Sequence, residues 1–345
     1  MAIYRALVLA ALLGHATACS DWIMNDDYGL SVRTMDLKPG PEFALRTLPK
    51  VTGSSKRGYI ASIGVNDTRL TLVDETDREA MVYAGLNDAG LSCDLHALLN
   101  SSYPPRSNSS NDLSLYLFCN WALAGYESAA QVRQALEANV VHLWGPAGAG
   151  AGGVHFVVRD ATGAGLAVEF LEASMVLHDD LNDGETGLGV FTNEPPLPWH
   201  EANVRHYLWK QSLARPATAM PGAWYPDERF LRIFLTKGAM PAPASYQDAV
   251  QQALHVLNTI TVPMGTQMGT DSGFGEGEAD HTHYAHVYDH KQRVLYWRHQ
   301  TNLNLQRVRL ADVDLSPGAA PVTLPLWRNG LPWYNDAAKA FAERR

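Results

Sequence analysis

Cys19 closes the stretch Ala16-Thr17-Ala18-Cys19-Ser20, and Val32-Arg33-Thr34-Met35-Asp36 follows a short way downstream. The first stretch reads as an A-x-A cleavage site, so processing would leave a cysteine at the head of the mature chain. Such a residue carries two reactive groups. Its thiol is a weak nucleophile until deprotonated, with a free pKa of about 8.5. Its α-amine titrates at about 7.7–8.0 and is partly free base at neutral pH. The amine can then take the thiol proton without a separate histidine. The chemistry such a residue supports is attack on an acyl carbon. Arg33 would favour the thiolate, and Asp36 would hold the ammonium end. The same two residues also fit a structural ion pair at a strand end.

Three further sites carry polar groups of suitable type. Asn193, in Phe191-Thr192-Asn193-Glu194-Pro195, follows an apolar strand. Its amide would donate to an oxyanion or, more plainly, cap a turn. Arg229, in Asp227-Glu228-Arg229-Phe230-Leu231-Arg232, falls on a predicted helix, where an arginine is usually a surface residue. His281 and His283 form an H-x-H on a predicted strand, but no HExxH helix or cysteine pair supports a metal. No G-x-S-x-G elbow supports a serine triad. No metal and no cofactor are expected.

The chain has 345 residues, 46% of them hydrophobic, which is enough for a large core. Its net charge of −9 is spread without a basic stripe, which argues against nucleic-acid binding. Arg5 precedes an apolar run from Ala6 to Leu13, the layout of a secretory signal over residues 1–18. That run is too short to span a bilayer, which needs ~20 residues. A lipoprotein signal also ends before a cysteine, although it prefers Leu, Val or Ile where Ala16 stands, and it would consume the thiol. The expected location is therefore exported, periplasmic or secreted, with residues 19–345 as one domain. Cys93 and Cys119 are either bonded or two buried thiols, and both readings leave Cys19 free. Asn66, Asn100 and Asn108 begin glycosylation triplets.

Elements that would position these groups can be read in order. Tyr28 to Met35 is β-like, and Lys38-Pro39-Gly40-Pro41 breaks the chain. Short apolar runs at 58–63 and 80–84 read as buried strands. Gly85-Leu86-Asn87-Asp88-Ala89-Gly90-Leu91 then signals a hairpin, with 92–98 as its second strand. Helices are predicted over Leu113–Ala124, capped by Asp112 or Asn111, and over Ser128–Asn139. The glycine-rich run from Gly148 to Gly153 leads into a strand, so it reads as a turn rather than a phosphate loop. Strands follow at 154–159, 165–171, 174–178 and 187–192. Helices come next at 199–213, 227–237 and 246–257, the last with Ser245 and Asp248 as a capping box. Strands at 282–289, 293–299 and 305–310 close the pattern. This alternation indicates an α+β layered fold.

The order of these motifs resembles the choloylglycine hydrolase family, which includes conjugated bile acid hydrolases, penicillin V acylases and N-acylethanolamine acid amidases. It rests on Cys19, Arg33-Thr34-Met35-Asp36 and Gly85 to Leu91, then on Thr192-Asn193-Glu194-Pro195 and Glu228-Arg229-Phe230-Leu231-Arg232. Val262-Pro263-Met264-Gly265 and the closing strands through Tyr296-Trp297-Arg298 complete it. The resemblance implies an αββα four-layer sandwich of the N-terminal nucleophile hydrolase type, acting on linear amides. It implies Cys19 as nucleophile, Arg33 and Asp36 tuning it, Asn193 as oxyanion donor and Arg229 supporting the cysteine. The second oxyanion donor would be the backbone N–H of Ala97. Family members carry an asparagine or a bulky aromatic there, and this chain lacks that side chain. The implied substrate is a small N-acyl amide. The exported form resembles the penicillin V acylase branch, some of whose members cleave acyl-homoserine lactones. A eukaryotic lysosomal member, a homotetramer and a non-catalytic exported protein of the same fold are further readings that the resemblance leaves open.

Overall fold

The computed structural model describes residues 18–24, 27–53, 55–65, 81–99, 101–145, 153–179, 187–213, 220–266, 280–327 and 329–338. The signal segment up to residue 17, the triplet at Asn66, Asn100 itself and most of the glycine-rich run from Gly148 lie outside the described residues.

In chain order the first strands are β1 (Ala18–Ile23), β2 (Leu30–Leu37), β3 (Glu42–Leu48), β4 (Tyr59–Val65), β5 (Val82–Asn87), β6 (Ser92–Ala97) and β7 (Asp112–Ser114). Helices α1 (Phe118–Gly125) and α2 (Ala129–Glu137) follow. Then come β8 (His142–Trp144), β9 (Val154–Arg159), β10 (Gly165–Leu171), β11 (Ser174–His178) and β12 (Val190–Phe191). Helices α3 (Leu197–Leu213), α4 (Pro226–Ala239) and α5 (Tyr246–Ile260) precede β13 (His281–Asp289), β14 (Val294–His299), β15 (Asn302–Arg309) and β16 (Thr323–Pro325).

Among the described residues the strands form two large sheets, six-stranded β12-β1-β2-β13-β14-β15 and eight-stranded β11-β10-β9-β6-β5-β4-β3-β16. All their neighbours are antiparallel. Helices α1 and α2 cover the outer face of the eight-stranded sheet, and α3 to α5 cover that of the six-stranded sheet. This is the α+β layering read from the sequence, in the αββα form that the family resemblance implies. β2 is buried at every position, because it lies in an inner layer with neighbours on both faces.

The helix expected over Leu113–Ala124 starts late. Residues 112–114 instead pair in parallel with β8, and a 3-10 turn occupies Leu115–Leu117 before α1 begins. Asp112 does not cap a helix, because its carboxylate accepts backbone N–H groups of Ser107 and Asn108 in the preceding loop. Strands β3 and β16 were not read from the sequence. Helix α5 has its Ser245 cap, which accepts from the Asp248 N–H at 3.1 Å.

The β5–β6 hairpin anchors two layers. Asn87 Oδ1 accepts from the N–H groups of Ala89 and Leu91, and its amide nitrogen donates to Leu123 and Tyr126 carbonyls at the end of α1. A Cys93–Cys119 disulfide ties β6 to α1, and Cys19 is free. Gly90 has φ of +93°, and a Cβ there would meet the His290 carbonyl oxygen at 2.2 Å. The hairpin thus abuts the end of β13 backbone to backbone. Gly90→Ala is expected to destabilise the protein by roughly 2 kcal/mol or more, read as a lower urea midpoint at unchanged slope.

Candidate active site

β1 and β2 pair antiparallel with Cys19 opposite Met35. Successive side chains on a strand alternate between faces. Cys19, Arg33 and Met35 therefore enter the space between the sheets, while Ser20, Thr34 and Asp36 face the helices. Arg33 and Asp36 are accordingly not paired with each other, and the ion-pair alternative is corrected by strand parity. Each has a different partner. Arg33 donates to the carbonyls of Tyr83 at 3.3 Å and Leu95 at 3.0 Å, bridging β5 and β6 where their pairing ends. Asp36 Oδ1 accepts from Thr282 Oγ1 at 2.6 Å, its Oδ2 from Thr34 Oγ1 at 3.0 Å, and Arg229 Nη1 lies 3.8 Å away.

Arg229 is fully buried, not on the surface as its helix alone suggested. From α4 it donates to the Cys19 carbonyl at 2.8 Å, to Ser20 Oγ, to Asn193 Oδ1 at 2.8 Å and to the Trp224 carbonyl at 2.9 Å. Asn193 Oδ1 also accepts from the Cys19 backbone nitrogen at 2.5 Å. Two donors on one oxygen fix the amide orientation. The Asn193 nitrogen donates to the Ala97 carbonyl at 2.9 Å and keeps a second N–H to give. Leu98 N–H donates to Gly153 on the β9 side, so the Ala97 N–H turns the other way, with the carbonyl that meets Asn193. The structure thus gathers Cys19, Asn193, Arg229, Asp36 and Ala97 around one point, with Arg33 behind the cysteine.

The Cys19 sulfur lies 3.9 Å from Met35 Sδ, which Arg33 Nη2 also approaches at 3.8 Å. Burial pushes the thiol up to about 11, and Arg33 pulls against it. Burial also raises Asp36, opposed by Arg229 and the two threonine hydroxyls. His281 and His283 stack at 4.1 Å between ring centres, and His283 contacts the carbonyls of Leu37 and Lys38. Among the described residues no group of three or more His, Cys, Asp or Glu is arranged to hold a metal. Nor is any helix among them long and apolar enough to cross a membrane.

Sequence reasoning missed the residues that hold Asn193. His155 contacts the Thr192 carbonyl at 3.0 Å and Glu169 Oε1 at 3.1 Å. His200 contacts the Asn193 carbonyl at 3.0 Å and is kept neutral by burial, which lowers it to about 4. Glu169 accepts from the Leu197 N–H and so caps α3 as well. These partners come from β9, β10 and α3, and none carries a local signal that links it to Asn193.

The sequence from residue 19 to residue 324 matches the model of the linear amide C–N hydrolases, choloylglycine hydrolase family, and the chain belongs to that family. It is a hydrolase of carbon–nitrogen bonds, other than peptide bonds, in linear amides. A bile salt hydrolase/transferase of Clostridium perfringens is 25% identical over 251 residues, 67% of this chain and 73% of that protein. The fold is that of penicillin V acylase from Agrobacterium tumefaciens, with a TM-score of 0.69 at 20% identity over 89% of this chain and 90% of that one. A variant of conjugated bile acid hydrolase from Clostridium perfringens superposes with a TM-score of 0.70 at 20% identity over 91% and 98% of the two chains.

The Glu169 network predicts an acid limb of stability. Burial opposes the charge, but hydrogen bonds from His155 and His178 prevail and hold Glu169 down to about 2 from an ordinary 4.5. A lowered carboxylate stabilises fully above its unfolded pKa and loses that contribution as pH falls through the folded value. Glu169→Gln is expected to lower Tm at pH 7 by roughly 5 °C. Thermal unfolding across pH should show the gap to wild type closing between pH 4.5 and 2.

Proposed function

We propose that the chain, shortened to begin at Cys19, cleaves a small N-acyl amide through an S-acyl-enzyme, in the manner of a penicillin V or acyl-homoserine lactone acylase. The observation that carries this reading is the grip on the Cys19 backbone. Its nitrogen meets Asn193 Oδ1 at 2.5 Å and its carbonyl meets Arg229 at 2.8 Å. That arrangement fixes the position at which cleavage would create an amine. The family match beginning at residue 19 supports the same start.

The buried thiol, held near 11, stays protonated at neutral pH until a base stands beside it. Removal of residues 1–18 would supply that base as the Cys19 amine, oriented by Asn193 Oδ1 and by Asp36 across β2. The amine takes the thiol proton, and Sγ attacks the acyl carbon. The spare N–H of Asn193 and the N–H of Ala97 stabilise the oxyanion. The C–N bond breaks as the ammonium returns its proton to the departing amine. Water, deprotonated by the Cys19 amine, then releases the acid and restores the thiol. Arg33 favours the thiolate, and Arg229 holds Cys19 and Asn193 in register.

In this reading the protein is exported, its signal removed before Cys19. A buried sulfur packed on Met35 does not suit a lipid carrier, which disfavours the anchored alternative. Cys19→Ala is expected to abolish amide hydrolysis with folding intact. A form that keeps an extra residue before Cys19, verified by intact mass, is expected to be inactive. Full activity of that extended form would show that the α-amine is not the base.

Apolar burial supplies binding at ~25 cal/mol per Å², so the acyl group is expected to dominate selectivity. Penicillin V, acyl-homoserine lactones, glycine-conjugated bile acids and N-acylethanolamines form the test panel, followed by amine release. Turnover of the first two alone agrees with the proposal. Turnover mainly of N-acylethanolamines at acid pH would reassign the substrate, and no turnover by protein with a free Cys19 would favour a non-catalytic role.

A further inference from the structure

Arg33, Asp94, Asp21 and Arg159 lie buried between the sheets, and of these the amide-cleavage reading uses only Arg33. Arg33 Nε faces Asp94 Oδ1 at 3.7 Å, with both side chains fully buried. Tyr288 donates to the same Asp94 oxygen at 2.7 Å. Asp94 Oδ2 has no hydrogen-bond partner among the described residues. Alongside, Arg159 Nε and Nη2 both meet Asp21 Oδ1 at 2.5 Å. The Tyr284 ring lies 5.3 Å from the Arg33 guanidinium. Burial keeps His96 on β6 and His286 on β13 neutral in the same layer.

Arg33 is therefore shared between two acids. On one side is Cys19, reached across Met35, with Asp36 and Arg229 as its other charged neighbours. On the other side is Asp94, on the strand that also carries Ala97. A charged Asp94 offsets the cation that would stabilise a thiolate, and a neutral Asp94 leaves that cation whole. The partners of Asp94 match this role: Tyr288 supports the charged form, while Asp21 opposes it.

We propose that Asp94 is a positioning residue for amide cleavage which, under the hydrogen bond from Tyr288, sets by its own protonation how much of the Arg33 charge acts on Cys19. This rests on Cys19 being the nucleophile. Burial and Asp21 push Asp94 up to about 8, against Arg33 and Tyr288. As pH rises through that value Asp94 gains its charge, and formation of the thiolate becomes harder.

The test uses the processed protein. The pH dependence of Cys19 alkylation by iodoacetamide, read by mass, and that of kcat/KM are measured side by side. Asp94→Asn is expected to lower the alkylation half-point by about one pH unit, a tenfold gain in thiolate fraction below it. Tyr288→Phe should shift it the same way by less. An unchanged or higher half-point in Asp94→Asn, shown folded by circular dichroism, overturns the proposal. If that variant does not fold, Tyr288→Phe decides by the same criterion. Cys19→Ala separates the two levels. If it retains hydrolysis, the nucleophile assignment fails. If it is inactive while both half-points stay at the wild-type value, only the role of Asp94 fails.

Discussion

A guanidinium removed from water must have its N–H groups answered, and Arg229 is one with no exposed surface. The partners that answer it are the Cys19 and Trp224 carbonyls, the Ser20 hydroxyl and the Asn193 side chain, with Asp36 close by. One buried cation thereby joins α4, β1, the end of β12 and β2. If any of these shifts, a charge is left unsatisfied in the core. Much of the site's geometry follows from that electrostatic requirement, which holds whether or not a substrate is bound.

The second constraint is the polar layer between the sheets. A sandwich of this kind is usually sealed by apolar side chains, yet here Arg33, Asp94, Asp21 and Arg159 occupy the gap. Such pairs add little net stability once desolvation is counted. They do fix which residue faces which, since a register slip of one residue would reverse every side chain on a strand. The aromatic rings of Tyr284 and Tyr288 fill the remainder, one under Arg33 and the other on Asp94.

Much of this was legible in the sequence, for identifiable reasons. Cys19 announced itself through the small residues before it, and the hairpin at Gly85 to Leu91 through Asn87 and Gly90. The antiparallel run of β9, β10 and β11 could be read from its turns to the residue. Arg229 was visible as a motif but not as a buried group, because a helix position says nothing of depth. β2 was legible as the β-like run from Tyr28 to Met35, whereas β1 is buried from Cys19 to Ile23 and does not show the alternation that marks a half-buried strand. The support of Asn193 by His155, Glu169 and His200 depends on contacts between separate strands and a helix. No local pattern encodes it. The late start of α1 shows a tertiary pairing, β7 with β8, overriding local helix preference.

The site draws on residues far apart along the chain. Cys19 is among the first described, and Thr282, which steadies Asp36, lies on β13. A ribosome therefore delivers the thiol long before Asn193, Arg229 and Thr282 exist. Until those arrive, the cysteine backbone lacks the partners that hold it in the finished fold. The grip on Cys19 in this architecture is thus dated by synthesis: it arrives with completion of the fold and cannot belong to a fragment that lacks α4 and β13.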